Sequence, residues 1–158
     1  MIQIREALLK DTDSIVNLIN TAFAIEAFFV YGNRIDAVEV RDRFQSGKFF
    51  LAENEEKPVG CIYLELRGEV GYFGLLSVDP NSQRAGIGRK LISFAEEHFK
   101  TAGCKAIELQ TVNVRHELPP FYRKLGYIDS GTAPFPLHVK TKMPCHFIVM
   151  SKPIAEAR

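Results

Sequence analysis

The sequence is poor in cysteine: Cys61, Cys104 and Cys145 are far apart and odd in number. They form no Cys-x-x-Cys pair and no Cys/His spacing suited to zinc, so neither a disulfide framework nor a metal centre is expected. Reduced thiols in a cytoplasmic protein are the expected state. Charge of one sign is also lacking, with 20 Lys and Arg against 19 Asp and Glu, a net charge of +1. That argues against a nucleic-acid or membrane partner, although a local basic cluster can still attract an anionic ligand. No apolar run reaches membrane-spanning length. Met1–Glu6 has no signal-peptide layout. Repeats, low-complexity tracts and linkers are missing as well. What remains is a chain of 158 residues, 46% apolar and 25% charged, expected to form one domain over residues 1–158 around one core.

Hydrophobic periodicity orders the elements. Ile2 and Ile4 alternate with Gln3 and Arg5, which predicts an opening strand. Asp11-Thr12-Asp13 supplies a helix N-cap region, followed by Ile15, Leu18, Ile19, Ala22 and Phe23 at helical spacing. A second helix is expected from about Ile35 to Gln45, stopped by Gly47. Residues 48–55 and 57–69 read as a hairpin turning at Glu53–Pro58, and Val70–Val78 as a further strand. A helix carrying Ile87, Leu91, Phe94, Ala95 and Phe99 on one face runs to Gly103. Cys104–Val112 alternates as a strand. Pro119 and Pro120 fit the first turn of a short helix that includes Tyr122. Tyr127–Gly131 and Cys145–Lys152 close the pattern, with a loop from Thr132 to Pro144 between them. The order βααβββαβαββ predicts an α/β (α+β) fold, a mixed, mostly antiparallel seven-stranded sheet with helices on both faces.

Residues 76–91, LSVDPNSQRAGIGRKL, carry the most information. An apolar strand through Leu75, Leu76 and Val78 meets a turn at Asp79–Ser82. Gln83-Arg84-Ala85-Gly86-Ile87-Gly88 then opens a helix. A helix start has unpaired N–H groups and a positive dipole end, and glycines there let an anion approach the backbone. Arg84, Arg89 and Lys90 add positive charge. A dinucleotide-binding G-x-G-x-x-G would need glycine where Leu91 stands, and no P-loop spacing occurs. A tight turn without a ligand is the alternative.

The pattern Gln-x-x-Gly-x-Gly between a strand ending Leu-x-Val-x-Pro and a helix resembles the coenzyme loop of the GCN5-related N-acetyltransferases. Phe121-Tyr122-Arg123-Lys124-Leu125-Gly126-Tyr127 is similar to that family's second signature, and the element order agrees from about Ile2 to Lys152. The resemblance implies acetyl-CoA as co-substrate and no metal. It implies that Gln83, Arg84, Ala85, Gly86, Ile87, Gly88 and Arg89 hold the pyrophosphate, largely through backbone amides. It implies that the strand residues Leu76, Ser77 and Val78 receive the pantetheine arm where that strand splays from its neighbour. By the same resemblance Tyr122 contacts the coenzyme and gives a proton to the leaving thiolate. A phenol with a reference pKa of about 10 is protonated at neutral pH and able to donate.

Asn113 stands where many relatives have an asparagine that contacts the pantetheine arm or fixes nearby backbone, but its spacing to the tyrosine is longer by about two residues. Either Asn113 keeps that role or Arg115 takes the place. The aromatic segment Glu26–Arg34 is implied to shape the acceptor pocket, with Glu26, Phe29 and Tyr31 as candidate contacts. A hydrophobic corner packed on the sheet is the other reading. Candidates for the general base are Glu108, His116, Glu26 and Glu65, or a water relay. His116 has a reference pKa of about 6.5, suited to accepting a proton near neutrality. No cysteine sits in a nucleophile context, so direct attack by a primary amine of a small molecule or peptide, in a ternary complex, is expected. The alternative is a non-catalytic acetyl-CoA-binding sensor or regulatory module. A homodimer is compatible with the family.

Overall fold

The computed structural model describes residues 1–154, and of Gln83 and Arg84 the backbone only. Its elements are β1 (Ile2–Glu6), α1 (Thr12–Ala22), α2 (Ala37–Ser46), β2 (Lys48–Asn54), β3 (Lys57–Arg67), β4 (Val70–Val78), α3 (Ile87–Thr101), β5 (Ala106–Val112), α4 (Leu118–Lys124), β6 (Ile128–Pro134) and β7 (His146–Pro153). The expected order is therefore found. The strands form one sheet, β1-β2-β3-β4-β5-β7-β6, antiparallel except between β4 and β5.

The sheet has a core on each face. On one, Ile87, Leu91, Ala95 and Phe99 of α3 pack with Phe50, Ile62, Phe73, Leu109, Tyr122 and Tyr127. Gly71 makes this approach possible, because a Cβ there would collide with the Phe99 ring. On the other, Ile15, Leu18 and Ile19 of α1 and Val40 of α2 pack on Phe49, Leu51, Tyr63 and Leu75. Ile15 and Ile19 are fully buried, each contributing roughly 1.5–3 kcal/mol of transfer free energy. A third, small cluster joins Phe29 and Val30 to Val112, Phe135, Val139 and Phe147.

β4 is irregular in a way that positions the site. Leu75 and Leu76 together oppose Ile62, since Tyr63 pairs with Gly74 and Cys61 with Ser77. Leu75 takes φ +53°. This bulge turns the strand over: Phe73 belongs to the α3-side core and Leu75, two residues on, to the α1-side core, whereas a regular strand keeps such residues on one face. A left-handed leucine costs on the order of 1 kcal/mol or more, a strain found where structure serves a site.

Three expectations are corrected. α1 begins at Thr12 as predicted, but Asp11 provides no side-chain cap; its carboxylate accepts from the Leu8 N–H at 2.8 Å and pairs with Arg5 at 2.9 Å. The turn after β4 is a 3-10 helix over Pro80–Ala85, so α3 starts at Ile87 instead of opening from the whole glycine segment. β6 continues past Gly131 to Pro134, paired with His146. Pro134 is tolerated there because β6 is an edge strand, whose outer N–H groups need no partner.

Candidate active site

β4 and β5 are paired only at Val70–Ala106, Gly71–Ile107 and Tyr72–Glu108. Beyond that point each continues, β4 held by β3 and β5 by β7, and a gap opens between them. The Asp79 N–H donates to the Val59 carbonyl at 2.8 Å, so by alternation Ser77 turns its backbone to β3 and Val78 turns its own toward the gap. Ser77 is buried, its Oγ donating to the Leu75 carbonyl at 3.0 Å. Of these two expected strand contacts, Val78 has the free backbone edge.

The gap leads to the N-terminus of α3. Gly86 is the N-cap at φ +69°, a left-handed position open to glycine, and no side chain caps the helix. The first return bond runs from Lys90 N–H to the Gly86 carbonyl at 3.1 Å. The N–H groups of Ile87, Gly88 and Arg89 precede it and have no intrahelical acceptor. No atom lies within 4 Å of a Cβ built at Gly86, which leaves the approach clear. Ala85 and Arg89 are exposed and Ile87 is buried beneath the turn. The side chains of Gln83 and Arg84 lie outside the described residues. An uncapped, glycine-lined helix start with cations beside it fits a pyrophosphate.

Tyr122 stands beside the gap. Its ring packs against Phe73, the first β4 residue past the last β5 pairing, at 6.2 Å between centroids, and against Tyr127 at 6.0 Å. The side chain is buried, and its hydroxyl makes no hydrogen bond among the described residues. Burial pushes the phenol up to about 12, with the Arg115 charge acting in the opposite direction. Tyr122 therefore holds its proton at neutral pH. Tyr127, by contrast, donates to Glu96 Oε2 at 2.8 Å and is part of the core.

Asn113 and Arg115 do different things. The Asn113 side-chain oxygen accepts from the His146 N–H at 2.8 Å, and its own N–H donates to the His146 carbonyl at 2.9 Å. It fastens the end of β5 to the start of β7. Arg115 reaches across to Glu26, with Nη1 to Oε2 at 3.1 Å, and also pairs with Glu117 at 3.3 Å. Arg115 and Glu26 are nearly buried, their side chains 14% and 8% exposed. Desolvation raises the Glu26 carboxyl above its ordinary value, and the Arg115 guanidinium only partly offsets this.

The other candidate bases are spread out. Glu65 accepts from the Tyr63 hydroxyl at 2.6 Å and pairs with Arg67, so it is already engaged. Glu108 is half-buried in the last pairing of β4 with β5, opposite Tyr72. His116 is exposed and makes no hydrogen bond or ion pair among the described residues. Of the three expected acceptor contacts, only Glu26 lines the neighbouring cavity. Phe29 is fully buried in the third cluster, and Tyr31 is 60% exposed with Lys142 Nζ 5.0 Å from its ring.

That cavity, of about 190 Å³, is lined by Asn20, Phe23, Glu26, Val30, Asn33 and Arg34 among others. Its wall is fixed by backbone contacts. The Tyr31 N–H donates to the Lys140 carbonyl at 3.1 Å, and the Lys142 N–H to the Phe29 carbonyl at 2.7 Å. The segments 26–34 and 132–144 thus meet through these two backbone bonds. Sequence reasoning included Arg34 in the acceptor segment without singling it out, and missed Asn20 and the Glu26–Arg115 pair. No local pattern marks them, since each depends on residues brought together from distant positions.

Among the described residues no group of His, Cys, Asp and Glu is arranged to hold a metal, and no helix is long and apolar enough to cross a membrane. The sequence profile of the acetyltransferase (GNAT) family matches residues 13–127. An aminoalkylphosphonate N-acetyltransferase of Salmonella typhimurium is 29% identical over 140 residues, covering 81% of this chain and 86% of that protein. An IAA acetyltransferase of Azospirillum brasilense is 30% identical over 86 residues; this match covers 53% of the chain and spans 56% of the relative's length. The fold is shared with the ribosomal-protein-S18-alanine N-acetyltransferase from Escherichia coli, at TM-score 0.79 and 16% identity, covering 100% of this chain and 97% of that one. It is shared also with Ard1 from Thermoplasma volcanium, at TM-score 0.80 and 18% identity over 98% and 99% of the two chains. Parted parallel strands, an uncapped glycine-bearing helix start and a matching profile agree, and the chain belongs to the GNAT family of acetyltransferases.

Proposed function

We propose that residues 1–158 form a single N-acetyltransferase domain that moves an acetyl group from acetyl-CoA to a primary amine of a small molecule or peptide, by direct attack in a ternary complex. The observation that carries the reading is the gap between β4 and β5, which runs from Tyr122 to the open amides of α3. Acetyl-CoA supplies the activated acetyl thioester. The Ile87, Gly88 and Arg89 amides and the Arg89 side chain bind its pyrophosphate; Leu76 and Val78 border its pantetheine arm; the Val78 N–H is the candidate donor to the thioester oxygen. Tyr122 Oη holds the proton for the departing thiolate. Its unengaged hydroxyl and raised pKa support that role.

The acceptor enters from the α1–α2 side, against Glu26. A buried carboxylate raised above its ordinary range is suited to hold an ammonium and accept its proton. Glu108, at the narrow end of the gap, is the second candidate for the proton. Asn113 acts by fastening β5 to β7. The protein works in the cytoplasm, without a metal.

The test is a coupled assay of CoA release with acetyl-CoA and a panel of primary amines, run beside calorimetric titration with acetyl-CoA. Micromolar binding with amine-dependent release supports the enzyme. Binding without turnover on any amine would favour a coenzyme-binding module instead. No binding by folded protein would overturn both.

A further inference from the structure

Arg34 is the residue in this region that no step above uses. It is half-buried on the wall of the cavity that Glu26 also lines. Its guanidinium carbon lies 5.7 Å from the centroid of the Phe23 ring. Among the described residues no carboxylate comes within ion-pairing distance of it, and it makes no hydrogen bond. Glu26 and Tyr72 are near enough to act on its charge, as are Glu39 and Arg43. Arg5, Arg67, Arg115 and Arg123 each pair with a carboxylate; Arg43, half-buried over the Tyr63 ring, does not, but unlike Arg34 it does not line the cavity.

The position is held from behind. The Asn20 amide donates to the Ile35 carbonyl at 2.9 Å and accepts from the Ile35 N–H at 3.0 Å, which pins the backbone next to Arg34 to α1. A guanidinium kept partly out of water without an anion is disfavoured, and burial indeed lowers its proton affinity. Its fork of donors matches a carboxylate or phosphonate. The same cavity thus presents a carboxylate at Glu26 and an unpaired cation at Arg34.

We infer that the acceptor is a short amine that also carries an acidic group, with its amino end at Glu26 and its carboxylate, phosphonate or sulfonate at Arg34. The inference rests on the acetyltransferase reading and names its substrate class. A cavity of about 190 Å³ suits a molecule of a few carbons. It is small beside the roughly 300–1,000 Å³ of drug-sized pockets.

The test compares 2-aminoethylphosphonate and β-alanine with propylamine, on the wild type and on Arg34→Met and Arg34→Lys. For the wild type, kcat/KM with the two acidic amines should exceed that with propylamine by about tenfold or more. Arg34→Met should remove that lead, with the KM for the two acidic amines rising far more than the KM for propylamine, and Arg34→Lys should restore part of it. Calorimetry with 2-aminoethylphosphonate in the presence of CoA, read without turnover, should show binding by the wild type and none by Arg34→Met. Equal rates for acidic and neutral amines, or a lead that survives in Arg34→Met, would overturn the inference while leaving the acetyltransferase intact. Phosphonate binding at Arg34 with no amine acetylated would uphold the anion site and sink the catalytic reading.

Discussion

The two sides of the β4–β5 gap are built from different materials. On the proposed coenzyme side the groups are backbone: the amides at the start of α3, the left-handed Gly86 and the free edge of β4 at Val78. On the proposed acceptor side they are side chains: Glu26, Arg34 and Arg115, supported by Asn20. Backbone chemistry survives almost any change of sequence, provided the glycines and the strand–turn–helix order stay. Side-chain chemistry changes with each substitution. A fold can therefore keep one coenzyme while its acceptors diverge.

The largest effect expected is on the coenzyme side. Tyr122→Phe removes the only proton that the hydroxyl can give and leaves the ring on Phe73. We expect kcat to fall by about 10²–10³-fold, with the acetyl-CoA dissociation constant unchanged by calorimetry. A parallel loss of affinity would mean that Tyr122 is a packing residue.

Arg115→Leu should affect stability more than coenzyme binding. It leaves the Glu26 carboxylate nearly buried and unpaired, at a cost of about 3 kcal/mol near neutral pH. The sign of its pH dependence follows from Glu26. Its folded-state pKa is already raised above the unfolded value, so the ionised form is what destabilises the fold. Losing Arg115 raises the Glu26 value further, so the deficit should be full above the variant's still higher pKa and shrink as pH falls through it toward the wild-type value, because the protonated carboxyl carries no charge. Urea melts of wild type and variant across pH 4–8 read this directly; a deficit independent of pH would argue that Arg115 acts through packing alone.

Gly86→Asp tests the other side. It forces a side chain into a left-handed position and sets a negative charge at the open amides. Acetyl-CoA binding should weaken by about 30-fold or more, while the melting temperature falls only by about 2–4 °C from the left-handed strain, since a Cβ there meets no atom within 4 Å. The smallest effect is assigned to His116→Gln. The imidazole is exposed and unpartnered among the described residues, and we expect kcat/KM to stay within about twofold. A tenfold loss with a flattened pH profile would restore His116 as the base and shift the acceptor's position.

Legibility in the sequence follows the same division. Periodic apolar residues marked most of the helices and strands, because helix and strand burial repeat every 3.6 or 2 residues, while the 3-10 turn after β4 went unmarked. The glycine loop and the Tyr122 helix were visible because their chemistry is local. The Leu75 bulge was not: it lies in a run of apolar residues with no Gly or Pro at the bulged position itself. Nor was the Arg115–Glu26 contact, which joins positions 89 apart in the chain. Asp11 shows why a local rule fails: it has the residue type expected of a helix cap and is taken by Arg5, whereas Asn113 fixes nearby backbone, one of the two roles expected of it.

The central claim is that the coenzyme is held by the backbone at the β4 edge and the α3 N-terminus. Titration of the ¹⁵N-labelled protein with acetyl-CoA, followed amide by amide in NMR spectra, tests it most directly. The account predicts the largest shifts at Val78, Ile87, Gly88 and Arg89, with those around Glu26 and Arg34 small until an acceptor is added. Shifts concentrated at Glu26–Arg34, with the α3 amides unmoved, would contradict it.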